Sequence, residues 1–394
     1  MTPPASRSTS DRRSPRLPWI ALGLTLLLLW LVGYPLLLTA LAGVGLAGGR
    51  GSDGFTLEAV RAFVTRADEW RALWGSVWIS LASVGLAGAI GVPLAFLFGR
   101  TDFPGRRTLG ALVALPVTLP PLVGVIAFLY LVGESGFLSR ALQGALGLER
   151  PPWRLVGPGA ILLVHAYSMY VYFYLFVRAA LARLDASQLE AASSLGASRG
   201  RIFWRVTLPQ LRPALLGASL LTFMTSLGSF SAPYIFGGGY RVMTTQIIAS
   251  RINGELALAM VEAVVLALCA VAALIGIRLA QGRDPGLGGH GLAPRPRPLR
   301  SPWLRLGAAA LGWAIAAIVV LPHLTLVLIS FVPPATWTTE LLPPALGLDN
   351  YRAVFAEPER LRPVLNSLWM ATVATLGAVV LGVGAARQSL VQSR

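Results

Sequence analysis

Residues 188–213 read QLEAASSLGASRGRIFWRVTLPQLRP. This stretch lies between two apolar runs, each long enough to cross a lipid bilayer, so we expect a loop at a membrane face. The triplet Glu-Ala-Ala at 190–192 favours a helix, and Gly196 can adopt backbone angles that other residues resist. Pro209 and Pro213 indicate where the next membrane helix begins. The sequence therefore predicts a short, exposed helix-turn-helix held between two membrane spans.

The spacing inside this loop forms a motif. It reads Glu-Ala-Ala, three residues, Gly, nine residues, an aliphatic residue, any residue, and Leu-Pro. The motif resembles the EAA loop of the permease subunits of ABC importers, which docks into a groove on the ATP-hydrolysing subunit. The alternative interpretation is a basic amphipathic loop that lies on anionic lipid. The residues to which the resemblance assigns an ATPase-coupling role are Glu190, Ala191, Ala192, Gly196, Leu208 and Pro209.

The composition is typical of a protein with many membrane spans. Of the 394 residues, 55% are hydrophobic and 13% are charged, and the mean hydropathy is +0.66. These values exclude an ordinary soluble globule. The net charge is +16, and every basic residue is arginine. Because the arginines cluster in alternate loops, membrane orientation explains them better than nucleic-acid binding.

The residues expected of an enzyme are missing from the sequence. Without lysine the chain has no Walker A loop, so ATP hydrolysis would take place on a separate nucleotide-binding subunit. His165, His290 and His323 are scattered and Cys269 is the single cysteine, so the pattern offers no paired metal ligands. We therefore predict that the chain is not an enzyme and binds no metal or cofactor.

The apolar runs predict an all-α polytopic membrane protein with about eight transmembrane helices. The third run contains Pro116, Pro120 and Pro121 and should be kinked or broken. Arginine-rich loops alternate with loops of nearly neutral charge, which predicts that the N-terminus and the 188–213 loop are both cytoplasmic. The predicted spans are about 17–42, 74–99, 108–133, 157–181, 213–236, 257–281, 303–331 and 365–385.

The chain starts again after a linker rich in Gly, Pro and Arg. With an offset of 291 residues, nine of the 38 pairs between residues 57–94 and 348–385 are identical. This internal repeat indicates two membrane halves of one design. The last residue of the second copy corresponds to Phe103 of the first copy. We therefore expect a shortened second half, which results from a frameshift or an early stop or is the natural form. The predicted parts are a cytoplasmic tail 1–17, a first permease domain 18–282, a cytoplasmic linker 283–302 and an incomplete second permease domain 303–394.

Polar residues in two spans are candidates for a translocation path. Tyr167, Tyr170 and Tyr174 share one face of the fourth span, with His165 nearby, although local packing is the alternative. Serines loosen the fifth span, and irregular backbone at membrane depth is tolerated mainly where it lines a cavity. In the sixth span Glu262 is either functional or reaches the lipid headgroups. The residues predicted for the path are Ser226, Ser229, Ser231, Tyr167 and Tyr170.

The resemblance covers most of the chain and implies the transmembrane domain of a type I ABC importer in the bacterial inner membrane. Fused double permeases resemble the ferric iron and thiamine group, and the segment SFSAPYIFGGG at 229–239 is most similar to the iron-type members. The implied partners are an ABC ATP-binding subunit, an extracytoplasmic solute-binding protein, membrane lipid and a chain that supplies the missing half; no nucleic acid is expected. The alternatives are a non-functional permease fragment and a secondary transporter driven by an ion gradient.

Overall fold

The computed structural model describes residues 22–23, 25–27, 29–46, 54–281, 297–299, 301–333, 343 and 345–392. The predicted tail and most of the predicted linker lie outside these residues. The described part is helical, as predicted, because a helix satisfies its own backbone hydrogen bonds in lipid. The helices are α1 (Tyr34–Gly43), α2 (Glu58–Thr65), α3 (Ala67–Arg100), α4 (Arg106–Leu112), α5 (Pro121–Val132), α6 (Phe137–Leu146), α7 (Pro158–Leu181), α8 (Ala186–Ser194), α9 (Arg199–Ile202), α10 (Leu208–Leu227), α11 (Ser231–Phe236), α12 (Met243–Ile252), α13 (Leu256–Gln281), α14 (Pro302–Ser330), α15 (Asp349–Ala356) and α16 (Pro358–Gln392).

Seven helical segments of the described residues are long and apolar enough to cross a membrane. The predicted span 213–236 is not among them. It corresponds to α10 and α11, and Gln210, Arg212 and several hydroxyl residues interrupt the apolar sequence of α10. The seven segments are Thr25–Gly43, Ala67–Arg100, Pro121–Leu146, Pro158–Leu181, Leu256–Ala280, Pro302–Ser330 and Pro358–Gly384.

The third predicted span is broken where its prolines lie. Helix α4 ends at Leu112, a 3-10 turn follows at Leu115–Thr118, and α5 begins at Pro121. Proline removes a backbone donor and clashes with the preceding turn, so the break was expected. The apolar segment long enough to span the membrane is therefore Pro121–Leu146, which lies later in the chain than the predicted 108–133.

Two backbones approach closely where α3 packs along α7. At Gly91 an added Cβ atom would lie 2.3 Å from the carbonyl oxygen of Tyr170 and 2.7 Å from the Cβ of Phe173. Small residues allow such an approach between membrane helices. At this position the contact leaves no space for any side chain, so glycine is required.

The pairing of contacts along α3 and α7 gives the direction of the helices. Ser83, in the middle of α3, contacts His165 in the first third of α7. At the end of both helices, an added Cβ atom at Gly99 would lie 3.4 Å from Leu181 Cδ1. The two helices therefore run parallel, and the start of α3 lies at the end of the bundle opposite the 188–213 loop.

The helix bounds follow the internal repeat. Glu58–Thr65 in the first copy corresponds to Asp349–Ala356 in the second, and α3 and α16 begin at Ala67 and Pro358, all with the offset of 291 residues. The repeated sequence therefore folds into the same pair of helices twice, a short helix followed by a long one.

The larger of two compact units runs from Ala42 to Leu348. Its main apolar core lies among α3, α7 and α10, and it includes Ala309, Ala316 and Val319 of α14. The first helix of the predicted second domain thus packs into the core of the first. Two short strands, β1 (Thr101–Asp102) and β2 (Arg297–Pro298), pair in parallel and hold the end of the linker beside the loop after α3.

The other compact unit contains residues up to Leu41 together with Asp349–Arg394. Its long helix is α16, and almost all of the α16 side chains whose burial is described are exposed. The division into domains predicted from the sequence stays a prediction.

Candidate functional site

The 188–213 loop is built around a left-handed turn at Gly196. Helix α8 begins after Asp185, whose carboxylate accepts a hydrogen bond from the backbone N–H of Ser187 at 2.9 Å. At its other end Gly196 has a φ of +77°, and Ala197 N donates to the carbonyl oxygen of Ala192 at 3.1 Å. This is the usual way in which glycine ends a helix. The turn predicted at Gly196 is confirmed.

The second arm of the loop is continuous with the membrane helix. Ser198 caps α9, a π-helical turn follows at Phe203–Thr207, and α10 begins at Leu208 without a break. The prediction of two separate short helices is therefore wrong for the second helix, because neither Pro209 nor Pro213 interrupts the helical path. The turn at Gly196 joins a short helix to one long lever.

The tip of the loop exposes large apolar side chains. Leu195 is 88% exposed and Trp204 is 67% exposed, whereas Leu189 is buried and fixes α8 against the bundle. Gln210 Nε2 donates to Gln188 Oε1 at 2.9 Å and joins the two arms. Exposed apolar residues on a rigid support are typical of a protein interface. Sequence reasoning missed Leu195 and Trp204, although a large apolar residue inside a polar loop is a signal for such a role.

The residues of the motif differ in exposure. Ala192 and Leu208 are half-buried. The exposed members are Glu190, Ala191, Gly196 and Pro209.

A second candidate region, here called the polar site, comprises Ser83, His165, Ser226 and Ser229. His165 Nδ1 lies 2.9 Å from Ser83 Oγ and 3.1 Å from Ser226 Oγ. His165 Nε2 lies 3.0 Å from Ser229 Oγ. Ser226 Oγ donates to Ser83 Oγ at 3.2 Å. The imidazole on α7 thus joins α3, α10 and the segment after α10 at membrane depth.

The polar site is largely buried and is hydrogen-bonded internally. Ser83, His165 and Ser226 are buried, and polar residues at this depth are costly unless they are bonded to one another. One turn before Ser226, the Thr222 hydroxyl is buried without a hydrogen-bond partner among the described residues. Hydroxyl and imidazole groups both donate and accept, so the site can exchange its internal hydrogen bonds for bonds to a polar solute.

The predicted path serines divide between two places. Ser226 and Ser229 are brought together by His165, which sequence reasoning placed only near the tyrosines. Ser231 is half-buried at the start of α11, after the break at residues 228–230. The break of the fifth span that the serines and Gly228 predict is thus present.

The predicted path tyrosines make bonds to backbone carbonyl groups. Tyr170 Oη donates to the carbonyl oxygen of Val113 at 2.6 Å, and Tyr174 Oη donates to that of Gly110 at 2.7 Å. These carbonyls lie at the broken end of α4, where helical partners are missing. Tyr167 Oη donates to the carbonyl oxygen of Val319 on α14 at 2.7 Å. These contacts favour packing; a path role for Tyr167 and Tyr170 stays a prediction.

Removal of one of these hydroxyls should lower stability. We expect Tyr170→Phe to destabilise the protein by about 0.6–1.7 kcal/mol, the usual range for a hydrogen bond between membrane helices, because the Val113 carbonyl loses this partner. The change is measured as a lowered Tm of the purified protein in detergent. The exposed Tyr234 provides the control, and Tyr234→Phe should leave Tm unchanged. An unchanged Tm in Tyr170→Phe would contradict the packing role.

Comparison with known proteins connects the loop and the helix bundle to one family. The family described as "Binding-protein-dependent transport system inner membrane component" matches residues 91–283. The molybdenum transport system permease protein ModB of Mycobacterium bovis is 33% identical over 230 residues, which cover 57% of this chain and 84% of ModB. The chain belongs to this family. It is a permease chain of the ABC importer type, as the motif predicted.

The relatives of this ABC permease are not all named for the same solute. The probable ABC transporter permease protein y4fN of Sinorhizobium fredii is 30% identical over 309 residues, covering 77% of this chain. The chain spans 54% of the length of y4fN. The putative ferric transport system permease protein FbpB 1 of Haemophilus influenzae is 30% identical over 198 residues, covering 50% of this chain and 31% of FbpB 1.

A solved structure supports the fold of this ABC permease. It is the crystal structure of a bacterial alginate ABC transporter in complex with an alginate pentasaccharide-bound periplasmic protein. The matched chain has a TM-score of 0.55 and 16% identity, and the match covers 69% of this permease and 95% of that chain. At this identity the likeness concerns the fold alone.

Proposed function

We propose that this ABC permease forms the membrane path of an ATP-driven importer and that the 188–213 loop docks onto a separate ATP-binding subunit. The observation that carries the proposal is the exposed loop, in which Leu195 lies beside the turn at Gly196, Trp204 lies in the π-helical turn, and both side chains are exposed. Family membership supports it, since the motif residues lie in the same loop. The coupling residues are Glu190, Ala191, Ala192, Gly196, Leu208 and Pro209.

The continuous helix from Arg199 to Leu227 provides a mechanism for coupling. Movement of the docked subunit would act on α9 and pass through the π-helical turn into α10. A 20-residue helix such as α10 is about 30 Å long, so it extends well into the membrane from the loop. Its far end carries Ser226, which is bonded to His165 and Ser83. A shift of α10 would therefore open the hydrogen bonds of the polar site.

We place the solute path at the polar site and along the start of α11. Ser226, Ser229 and Ser231 would line this path, with Tyr167 and Tyr170 as further candidates. For the solute we propose ferric iron or a related small inorganic solute, and the molybdenum permeases among the relatives make an oxyanion the alternative. Uptake of radiolabelled iron and molybdate by cells that carry the assembled transporter distinguishes the two.

The proposed partners follow from the same function. They are an ABC ATP-binding subunit, an extracytoplasmic solute-binding protein, the lipid of the inner membrane, and a chain with a second EAA loop. We also propose that the tail 1–17 and the linker 283–302 are cytoplasmic, between permease domains at 18–282 and 303–394.

The sidedness of the 188–213 loop tests the docking proposal. We expect Ala191→Cys, made in a Cys269→Ser background, to react with a membrane-impermeant thiol reagent added from the cytoplasmic side. The co-assembled ATP-binding subunit should reduce this labelling strongly, because it would cover the tip. Asn253→Cys, in the exposed turn after α12, is the control and should react only from the opposite side.

Two outcomes contradict the docking proposal. Labelling of Ala191→Cys from the outer side would place the loop beyond the reach of an ATPase. Unchanged labelling in an assembly that contains the ATP-binding subunit would show that the subunit binds elsewhere.

A further inference from the structure

Two acidic side chains are buried at the end of the bundle opposite the 188–213 loop. Glu69, in the first turn of α3, is 1% exposed, and Glu262 on α13 is 0% exposed. Glu262 therefore does not reach the lipid headgroups, which was one of its two interpretations from the sequence. We call Glu69 and Glu262 the acid pair.

Helix α12 brings the two acids to one place. Gln246 Nε2 donates to Glu69 Oε1 at 3.0 Å, and Ser250 Oγ donates to Glu262 Oε1 at 2.6 Å. Gln246 and Ser250 are four residues apart and so lie on the same face of α12. Gln246 and Ser250 therefore hold the two carboxyl groups beside each other against one face of α12.

One oxygen of each acid has no other partner. Glu69 Oε2 and Glu262 Oε2 are both buried without a donor among the described residues. Two ionised carboxylates only accept hydrogen bonds, so they would leave both oxygens unpaired and repel each other. If the pair carries a single proton, one carboxyl group donates a hydrogen bond to the other. Neither oxygen is then left unpaired, and the repulsion between two negative charges is removed.

The cations around the acid pair are engaged elsewhere. Arg66 is close enough to interact with both acids, but its guanidinium donates two hydrogen bonds, of 2.8 Å and 2.7 Å, to Glu255. The hydrogen bond from Arg66 lowers the pKa of Glu255. Glu255 therefore keeps its negative charge and stays paired with Arg66. Arg241 pairs with Asp68 at 3.1 Å.

The other groups around the acid pair do not neutralise it. Arg71 also bonds to Asp68, at 3.2 Å. The remaining charged groups on α2 and α12 are exposed and are Glu58, Arg61 and Arg251. The helices that carry the acid pair, together with α2 and α12, form an apolar cluster of Ala59, Phe63, Ala72, Met243, Leu258 and Val261. In such surroundings two unpaired negative charges are strongly unfavourable.

We propose that Glu69 and Glu262 share one proton and that this proton fastens α3 to α13 where α12 packs against both. The proton belongs to one carboxyl group and is donated to the other; when it leaves, it passes to the solvent and two like charges remain. Besides this contact, Met243 N donates to Ser76 Oγ at 2.7 Å and holds the start of α12 to α3. Loss of the proton should loosen the contact between α3 and α13 first, whereas the hydrogen bonds that α12 donates to Glu69 and Glu262 remain. The outer end of the permease thereby becomes sensitive to pH.

Infrared spectroscopy of the full-length protein in nanodiscs tests the shared proton directly. At neutral pH we expect the carbonyl stretching band of a protonated carboxylic acid in the wild type. Glu69→Gln and Glu262→Gln should each abolish this band, because the amide then donates to the remaining carboxylate. Glu58→Gln, which changes an exposed acid, is the control and should retain it. A wild type without the band at neutral pH would overturn the proposal.

Thermal unfolding as a function of pH provides a second measurement. At neutral pH the unfolded chain has released its carboxyl protons, so a folded state that keeps one loses stability as the pH rises. We expect Tm to fall by several degrees from mildly acidic to mildly alkaline pH, and to fall less in Glu69→Gln. A Tm that is independent of pH would overturn the proposal. So would a divalent cation that restores Tm at alkaline pH in the wild type alone, since the pair would then be a cation site.

Discussion

The Gly91→Val variant is expected to lose most of its folded protein. The new Cβ atom would lie 2.3 Å from the Tyr170 carbonyl oxygen and 3.0 Å from the backbone nitrogen of Tyr174. These neighbours are backbone atoms of α7 and cannot move aside as a side chain can. Overpacking usually lowers the free energy of unfolding by about 1–3 kcal/mol, and here we expect a loss at or above the upper end of this range. Size-exclusion chromatography and thermal unfolding in detergent measure the result, and we expect a Tm lowered by about 10 °C or no folded protein at all.

The internal repeat supplies a matched control for this variant. Gly382 occupies the position of Gly91 in the second copy, and an added Cβ atom there meets nothing within 4 Å. Gly382→Val makes the same change in the same helical context, so Tm should stay within about 2 °C of the wild type. Equal losses in both variants would mean that a general intolerance of valine, rather than the contact between α3 and α7, causes the defect.

The Gly196→Val variant is expected to separate ATP hydrolysis from solute uptake. Gly196 has a left-handed backbone conformation with open space around it, so the substitution causes strain without a clash. Forcing an L-residue into this conformation costs about 1–2 kcal/mol, and a β-branched residue resists it further. Displacement of the tip by a strain of this size should reduce uptake by the assembled transporter roughly tenfold. The amount of permease in the membrane should not change.

Gly200 in α9 provides the control in the same loop. It lies in a helix, has open space around it and has no left-handed backbone. Gly200→Val should therefore retain most of the uptake, while ATP hydrolysis by both assemblies is measured in parallel. Normal uptake by Gly196→Val would refute the role assigned to the turn.

Local chemistry made part of this structure predictable from the sequence. Proline acts on its own turn of the chain, so the break before Pro121 followed directly from the residues. The turn at Gly196 followed in the same way. The repeat predicted that two parts of the chain share one design, and α15 and α16 do follow α2 and α3 at the offset of 291 residues, although the predicted span 365–385 is shorter than α16. These features depend on residues close together in the chain.

Contacts between distant parts of the chain could not be predicted in this way. Ser83 and His165 are 82 residues apart, and a helical pattern gives the face of a residue but not its neighbour. For the same reason Glu262 had two open interpretations until Glu69 and α12 were found beside it. Tyr170 was assigned to a face correctly, but its bond to a carbonyl depends on where α4 breaks.

The unbroken helical path from Arg199 to Leu227 limits insertions and deletions. Each residue of a helix advances the direction of its side chains by about 100°. One residue added or removed between Gly196 and Leu208 would therefore rotate α10 about its axis and swing Ser226 away from His165. Substitutions along this segment leave the direction in which Ser226 points unchanged, whereas a change in the length of the segment alters it. The fixed count of nine residues between the glycine and the aliphatic position of the motif is thus a constraint on rotational phase.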